Sequence, residues 1–189
     1  INDVMAHRRC DIICERYALF STAGRESARW HRLPFVLEVN APLVVEAQSH
    51  RQLVLEPLAR AIERFLFSSA DAVVPVSAPL GRYIHSIVPA AAVTPIPNGV
   101  DVARFASAGP GTHLREQWAA GSDDFLVGFV GSLKPWHGID LLIEAFLKLR
   151  SAGKHVRLVV IGDGPLRPLV EQAAGDNGDH AGIILTGAV

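Results

Sequence analysis

Short, nearly continuous apolar runs alternate along the chain with longer stretches whose apolar positions recur every third or fourth residue. A short run bounded by glycine or polar residues reads as a strand covered on both faces, and the longer recurrence as an amphipathic helix. In the first half the strand-like runs are "DIIC" (11–14), "FVLEV" (35–39), "DAVVPVS" (71–77) and "AVTPIP" (92–97). Residues 21–32 have Ser21 or Thr22 as a cap and a helical charge pattern, and 78–88 also reads as a helix. The 52–70 segment places Leu55, Leu58, Ile62, Phe65 and Leu66 at helical spacing, with Pro57 in its first turn or at a kink. "NGVD" (98–101) marks a turn, and "ASAGPGTH" (106–113) is a loop of small residues at a shift in composition. A domain junction belongs there, dividing the chain into 1–104 and 105–189.

The second half restarts the rhythm. "FLVGFVG" (125–131), "VRLVVIG" (156–162) and "GIILTG" (182–187) read as strands. The 138–153 helix places Leu141, Leu142, Ala145, Phe146 and Leu149 on one face, and another helix covers 165–174. Apolar strands separated by helices imply parallel pairing through right-handed crossovers. The expected fold is therefore α/β, with two Rossmann-like, doubly wound parallel-sheet pieces in tandem.

Composition narrows the partners. With 189 residues, 49% of them hydrophobic, the chain can bury a sizeable core or parts of two. Eighteen Lys and Arg oppose nineteen Asp and Glu, so there is no large field to hold nucleic acid, and any bound anion must be met locally. Cys10 and Cys14, the only cysteines, lack the partners for a disulfide framework or a metal site and read as buried or half-buried thiols in a reducing compartment. His7, His31, His50, His85, His113, His155 and His180 are scattered without metal-ligand spacing and read as surface residues. The opening "INDVMAHRRC" has neither the basic nor the apolar region of a signal peptide and reads as the middle of something longer. No apolar stretch approaches the ~20 residues a spanning helix needs.

In parallel sheets ligands gather outside the carboxyl ends of the strands, where loops lead into helix N-termini. Three loops qualify. In "GSLKPWHG" (131–138), Gly131 lets a ligand approach the backbone, Gly138 leaves a helix N-terminus open, and Lys134 and His137 add cationic donors. These features describe an anion site suited to phosphate; the alternative is a plain turn with solvated basic side chains. "GDGP" (162–165) sets Gly162 and Gly164 around Asp163 in a tight turn, with Pro165 opening the next helix. A dinucleotide fingerprint would need a third glycine where Arg167 stands, so Asp163 reads as a turn residue rather than a ribose ligand. "PNGVD" (97–101) by itself says only that the chain turns.

Together, "IPNGVDVARF", "VGFVGSLKPWHGIDLLIEAF", "LVVIGDGPLRPLV" and "IILTGAV", in this order over 96–189, resemble the retaining glycosyltransferases of family four. "CERYALFSTAG", "PFVLEVNAPLVVEA" and "ADAVVPVSAPLGRYI" are similar to the later part of that family's first domain. The resemblance implies a GT-B fold, with an acceptor-side domain over 1–104 and a nucleotide-sugar domain over 105–189. Members begin with a strand and a glycine-rich loop that precede anything here. They end with a second half of the nucleotide domain that carries paired glutamates. A fragment is therefore expected, inactive in isolation.

The same resemblance implies metal-independent transfer from a nucleotide-diphosphate sugar, with no separate cofactor, to a sugar, lipid or small-molecule acceptor. Negative charge grows on the departing diphosphate, and groups that bind it more tightly in the transition state accelerate the reaction. Gly131, Ser132, Lys134, His137, Gly138, Gly162 and Gly164 are the implied donor-binding positions. Family members often carry basic residues where Ser132 and His137 stand, so Lys134 is the first candidate for the compensating charge, with His137 contributing when protonated. Asn40 takes the place of a histidine that contacts the donor sugar in many relatives. Its amide can bond a sugar hydroxyl, or it can form a local turn before Pro42. Glu38, two residues earlier, shares its strand face. Glu15 and Arg16 read as a structural ion pair, and Trp136 either packs beneath the phosphate loop or stacks on a base. An epimerase of the same fold and a non-catalytic nucleotide-binding module stay open as alternatives. The implied location is cytoplasmic or peripheral at the inner face of a membrane, with contact through the region upstream.

Overall fold

The computed structural model describes residues 9–50, 52–106, 111–175 and 182–189. Its contacts separate two compact units, Ile1–Val100 and Asp101–Val189.

The first unit contains β1 (Ile13–Arg16), α1 (Ala23–His31), β2 (Phe35–Val39), α2 (Leu43–His50), α3 (Glu56–Ser69), β3 (Ala72–Pro75) and α4 (Ala78–Ile87). The strands form a parallel sheet in the order β1-β2-β3, with Arg16 beside Glu38 and Val39 beside Pro75. Phe35, Leu37 and Val39 of the central strand are fully buried, against Ala28 of α1, Leu66 and Phe67 of α3 and Ile84 of α4. Complete burial of a side chain such as Phe35 or Phe67 stabilises the fold by about 2–3 kcal/mol.

Several expectations change here, and one helix was not foreseen. β1 lies two residues later than the apolar run, because Glu15 and Arg16 each find a polar partner within the sheet layer. This shift leaves Cys14 exposed on β1 instead of buried, while Cys10 is half-buried. α2 was not legible: its buried side is only Val44 and Ala47, too short for periodicity to register. The 92–97 run makes a single bridge, Val93 to Val73, and not a strand. Val73 exchanges bonds with Ala92 and Thr94, but Pro75 has no N–H with which to extend the ladder. In α3, Leu55, Leu58 and Phe65 of the expected stripe are exposed, and the buried side is Ala59, Glu63, Leu66 and Phe67. Pro57 sits in the first turn of that helix.

The second unit contains α5 (Val102–Ala106), α6 (Thr112–Gln117), β4 (Phe125–Val130), a 3-10 turn (Pro135–His137), α7 (Ile139–Ser151), β5 (Val156–Ile161), α8 (Arg167–Ala174) and β6 (Ile183–Gly187). Its sheet is parallel in the order β4-β5-β6, with a register shift between Val160 and Ile161. α5 and α6 are short helices flanking the loop expected over 106–113, of which 107–110 lie outside the described residues. α7 buries Ile139, Ile143 and Phe146, whereas Leu141 and Leu149 of the expected face are exposed. That buried side packs on Leu158, Val160 and Ile183 of the sheet and Val170 of α8.

Candidate functional site

In the second unit two glycine loops meet backbone to backbone at the carboxyl ends of β4 and β5. Gly131 N–H donates to Ile161 O at 3.0 Å, Leu133 N–H to Asp163 O at 2.9 Å, and Leu166 N–H to Leu133 O at 2.9 Å. A Cβ on Gly162 would lie 1.9 Å from Gly131 O, and one on Gly164 would lie 2.8 Å from Leu133 N and O. Both glycines are thus required by close approach of the second loop to the first. Leu133 is fully buried and anchors the upper loop, a role expected of Trp136, which is only half-buried.

A groove of about 320 Å³ opens over this junction, lined among others by Gly131, Ser132, Ile161, Gly162, Asp163 and Ala188. That size is within the usual range of small-molecule sites. Of the positions named from sequence, Gly131, Ser132 and Gly162 line it; Gly164 lies beneath, and Lys134, His137 and Gly138 stand along the loop that leads away. Asp163 is a turn residue: its carboxylate accepts from Gly164 N–H at 2.7 Å and pairs with Arg167 at 3.0 Å.

The 3-10 turn shapes the cationic part of the loop. His137 N–H closes it on Lys134 O at 3.0 Å, and Nδ1–H of His137 donates to the Ser132 carbonyl. A carbonyl only accepts, so the ring's remaining proton site is Nε2. Lys134 Nζ lies 5.1 Å from the Trp136 ring centroid, so the indole holds the ammonium in a cation–π contact. Gly138, at φ +65°, bends the chain into α7, whose first intrahelical bond is Leu142 N–H to Gly138 O at 3.0 Å. The amides of Ile139, Asp140 and Leu141 precede that bond and present the positive end of the helix.

In the first unit Asn40 is exposed just past the carboxyl end of β2, and among the described residues its side chain has no hydrogen-bond partner, so the turn expected before Pro42 is not formed through it. Glu38 takes the adjacent position on that face and pairs with Arg16 at 3.2 Å. Glu15 and Arg16 are therefore not a pair with each other, since consecutive strand residues face opposite sides. Glu15 instead accepts from Ser21 Oγ–H at 2.8 Å and from Gly24 N–H at 3.0 Å, fastening the start of α1.

A cluster that went unrecognised in the sequence lies below this edge. Glu63 is 1% exposed and accepts from Tyr17 Oη–H at 3.2 Å and from Tyr83 Oη–H at 3.0 Å. Burial pushes its carboxyl above the usual range, opposed by the two tyrosine bonds. Burial and the neighbouring carboxylate push both tyrosine hydroxyls upward. The available signal was a glutamate at the position between Ala59 and Leu66 on the buried side of α3.

Among the described residues no group of three or more His, Cys, Asp and Glu side chains is placed to hold a metal ion, and no helix is long and apolar enough to cross a membrane. His31 is half-buried, the other described histidines named above are exposed, and His7 and His180 lie outside the described residues.

Comparison with known proteins adds the following. Residues 1–104 match the Glycosyltransferase Family 4 profile and residues 124–189 that of Glycosyl transferases group 1. The chain is 35% identical over 84 residues to the lipopolysaccharide 1,2-N-acetylglucosaminetransferase of Salmonella typhimurium, covering 44% of this chain and 22% of that protein. It is 32% identical over 132 residues to the GDP-mannose-dependent alpha-(1-6)-phosphatidylinositol monomannoside mannosyltransferase of Mycolicibacterium smegmatis, covering 69% and 34%. The chain thus spans about a third or less of the length of these two relatives. The crystal structure of Anabaena HepE in complex with UDP and glucose superposes with a TM-score of 0.71 at 18% identity, covering all of this chain and 50% of that one. The two parallel sheets with flanking helices are thus the paired Rossmann-like units of a GT-B fold.

Proposed function

Because the chain belongs to glycosyltransferase family 4, we propose that its second unit binds the diphosphate of a nucleotide-sugar donor and that the full protein transfers the sugar, with retention and without a metal, to a sugar, lipid or small-molecule acceptor. The observation that carries this reading is the pair of stacked glycine loops opening a groove at the carboxyl ends of β4 and β5, from which the same loop runs on through Lys134 to the start of α7. The family relationship and the relatives' own names support a nucleotide-sugar donor: one uses GDP-mannose, and a structural neighbour was crystallised with UDP and glucose.

When the anomeric C–O bond breaks, its electron pair goes to the diphosphate. The charge growing there meets the backbone amides of Ser132 and Gly138, the helix terminus and the Lys134 ammonium, which favour the transition state over the ground state. The Gly131 and Gly162 amides are held in the loops' own bonds to Ile161 and Gly187. His137 adds a second positive charge when Nε2 is protonated. Its Nδ1 bond to Ser132 keeps the ring oriented throughout. Gly164 acts only by letting the lower loop seat under Leu133. Asn40, exposed at the edge of the first sheet, bonds a hydroxyl of the transferred sugar. The proposed setting is the cytoplasm or the inner face of a membrane.

Calorimetric titration of GDP and UDP into wild type and Lys134→Ala tests the site. We expect about a tenfold or greater loss of affinity on removing the ammonium, and an unchanged affinity would remove Lys134 from it. In the full-length enzyme, NMR of the product should show the donor's anomeric configuration, and chelator should leave the rate unaltered. An inverted product or chelator-sensitive turnover would refute those two parts separately.

A further inference from the structure

We infer that Phe20 is the platform on which the ring of the acceptor, a six-membered polyol, stacks at the carboxyl edge of the first sheet. The inference rests on the transfer reading above and assigns it an acceptor subsite.

Phe20 is a bulky residue at φ +64°. It is the third residue of a tight turn closed by Ser21 N–H to Ala18 O at 3.3 Å, a position where positive φ ordinarily selects Gly or Asn. Such a conformation persists only where its surroundings over-determine it, and such sites concentrate where ligands bind. Here the surroundings are two carboxylates. Before the turn, Tyr17 is 6% exposed, with its hydroxyl on the buried Glu63. After it, Ser21 and Gly24 are bonded to Glu15. The segment between is clamped at both ends, yet Phe20 remains 43% exposed. An aromatic ring held outward at the expense of backbone strain contributes little to the core and is preorganised for a flat apolar partner.

The neighbouring groups specify that partner. Tyr17 N–H donates to Glu38 O at 2.8 Å, so the β1 loop leaves the sheet alongside Val39, one residue before Asn40. Three residues of chain place Phe20 within ~10 Å of that point. The same edge carries the Arg16–Glu38 pair and the exposed Asn40 carboxamide. An apolar face flanked by a charged pair, next to the carboxamide assigned above to the transferred sugar, matches a pyranose or cyclitol ring, whose C–H face is apolar and whose rim is all hydroxyls. It does not match a phosphate, for which this edge offers one cation already paired with Glu38.

The test titrates methyl α-D-mannopyranoside, methyl α-D-glucopyranoside, myo-inositol and, as a polyol without a ring face, glycerol into isotope-labelled protein, recording amide shifts. GDP and UDP binding is measured on the same samples. A ring polyol should perturb residues 16–22 and 38–40, with the pyranosides and myo-inositol telling a sugar from a cyclitol, and glycerol should not. Phe20→Gly relieves the backbone, so it should melt no lower than wild type while losing about tenfold in ring binding; Phe20→Tyr should restore it. Unaltered ring binding in Phe20→Gly, shifts mapping elsewhere, or no shifts from any ring polyol would overturn the inference. Loss of nucleotide binding with ring binding intact would refute the donor reading alone.

Discussion

The two units build the same three-stranded parallel sheet and secure its carboxyl edge by opposite means. In the first, carboxylates do it: Glu15 fastens the start of α1 and Glu63 ties the end of β1 to α3 and α4. In the second, backbone packs on backbone, Gly162 against Gly131 and Gly164 against Leu133, and the carboxylate that bonds there, Asp163, is exposed. Side-chain ties leave an edge adjustable, since loop residues between the ties can vary while the ties hold. Stacked glycine loops leave the backbone fixed, which suits the diphosphate site proposed above. On the proposed function, the adjustable first edge is the side for the acceptor and the fixed second edge the side for the donor.

The sharpest way to break it is Gly162→Ala. A Cβ there meets Gly131 O at 1.9 Å and sits at φ +147°. The second unit should lose roughly 4 kcal/mol or more, read as a shifted urea midpoint by Trp118 and Trp136 fluorescence in a Trp30→Phe background. A wild-type midpoint would mean the loops are not stacked. Next in size, Glu63→Ala leaves the hydroxyls of Tyr17 and Tyr83 buried without an acceptor. It should cost the first unit about 2–4 kcal/mol, followed through Trp30. Gly24→Ala should cost only about 1 kcal/mol, the value of a helix cap, because the Cβ meets the movable end of Glu15 at 2.4 Å. A loss as large as that of Gly162→Ala would erase the contrast between adjustable and fixed edges.

The smallest effects lie in the pH dependence, and they have opposite signs. Glu63 is held above its ordinary value of 4.5 by burial, so the folded state favours its proton. Relative to Glu63→Gln, the wild-type first unit should be most stable at and below pH 4.5 and lose that advantage as pH rises through the folded value. Asp124 is held below 3.8 by the Gly121 amide and by Arg157, which bonds it at 3.0 Å. Relative to Asp124→Asn, the second unit should keep its advantage above pH 3.8 and lose it as pH falls through the folded value. Thermal melts of both pairs across pH 3 to 8 check the two slopes; parallel slopes would show that the carboxylates are not differently held.

Much of the fold was legible in the chain. β2 matched its apolar run residue for residue, and β3 to β6 fell within theirs, because each is a short, mostly apolar run bounded by Gly, Pro or polar residues that end it. Gly131, Gly138, Gly162 and Gly164 were legible as turn positions for a related reason: few other residues tolerate their backbone angles. The buried sides of α3 and α7 were misread. A helix covered by a sheet on one side can still carry leucines outward, as Leu58 and Leu141 do, so counting apolar positions does not identify the inner stripe.

By itself, then, the sequence determined the order of strands and helices and the loops where the chain must turn sharply, since these follow from local periodicity and from backbone angles that only certain residues allow. Tertiary structure alone decided that Glu63 lies inside, that Glu15 and Arg16 face different partners, and that Phe20 is held outward in a conformation its side chain disfavours. Each depends on groups distant in the chain meeting across the sheet, where desolvation and hydrogen bonding override the preference of any single residue.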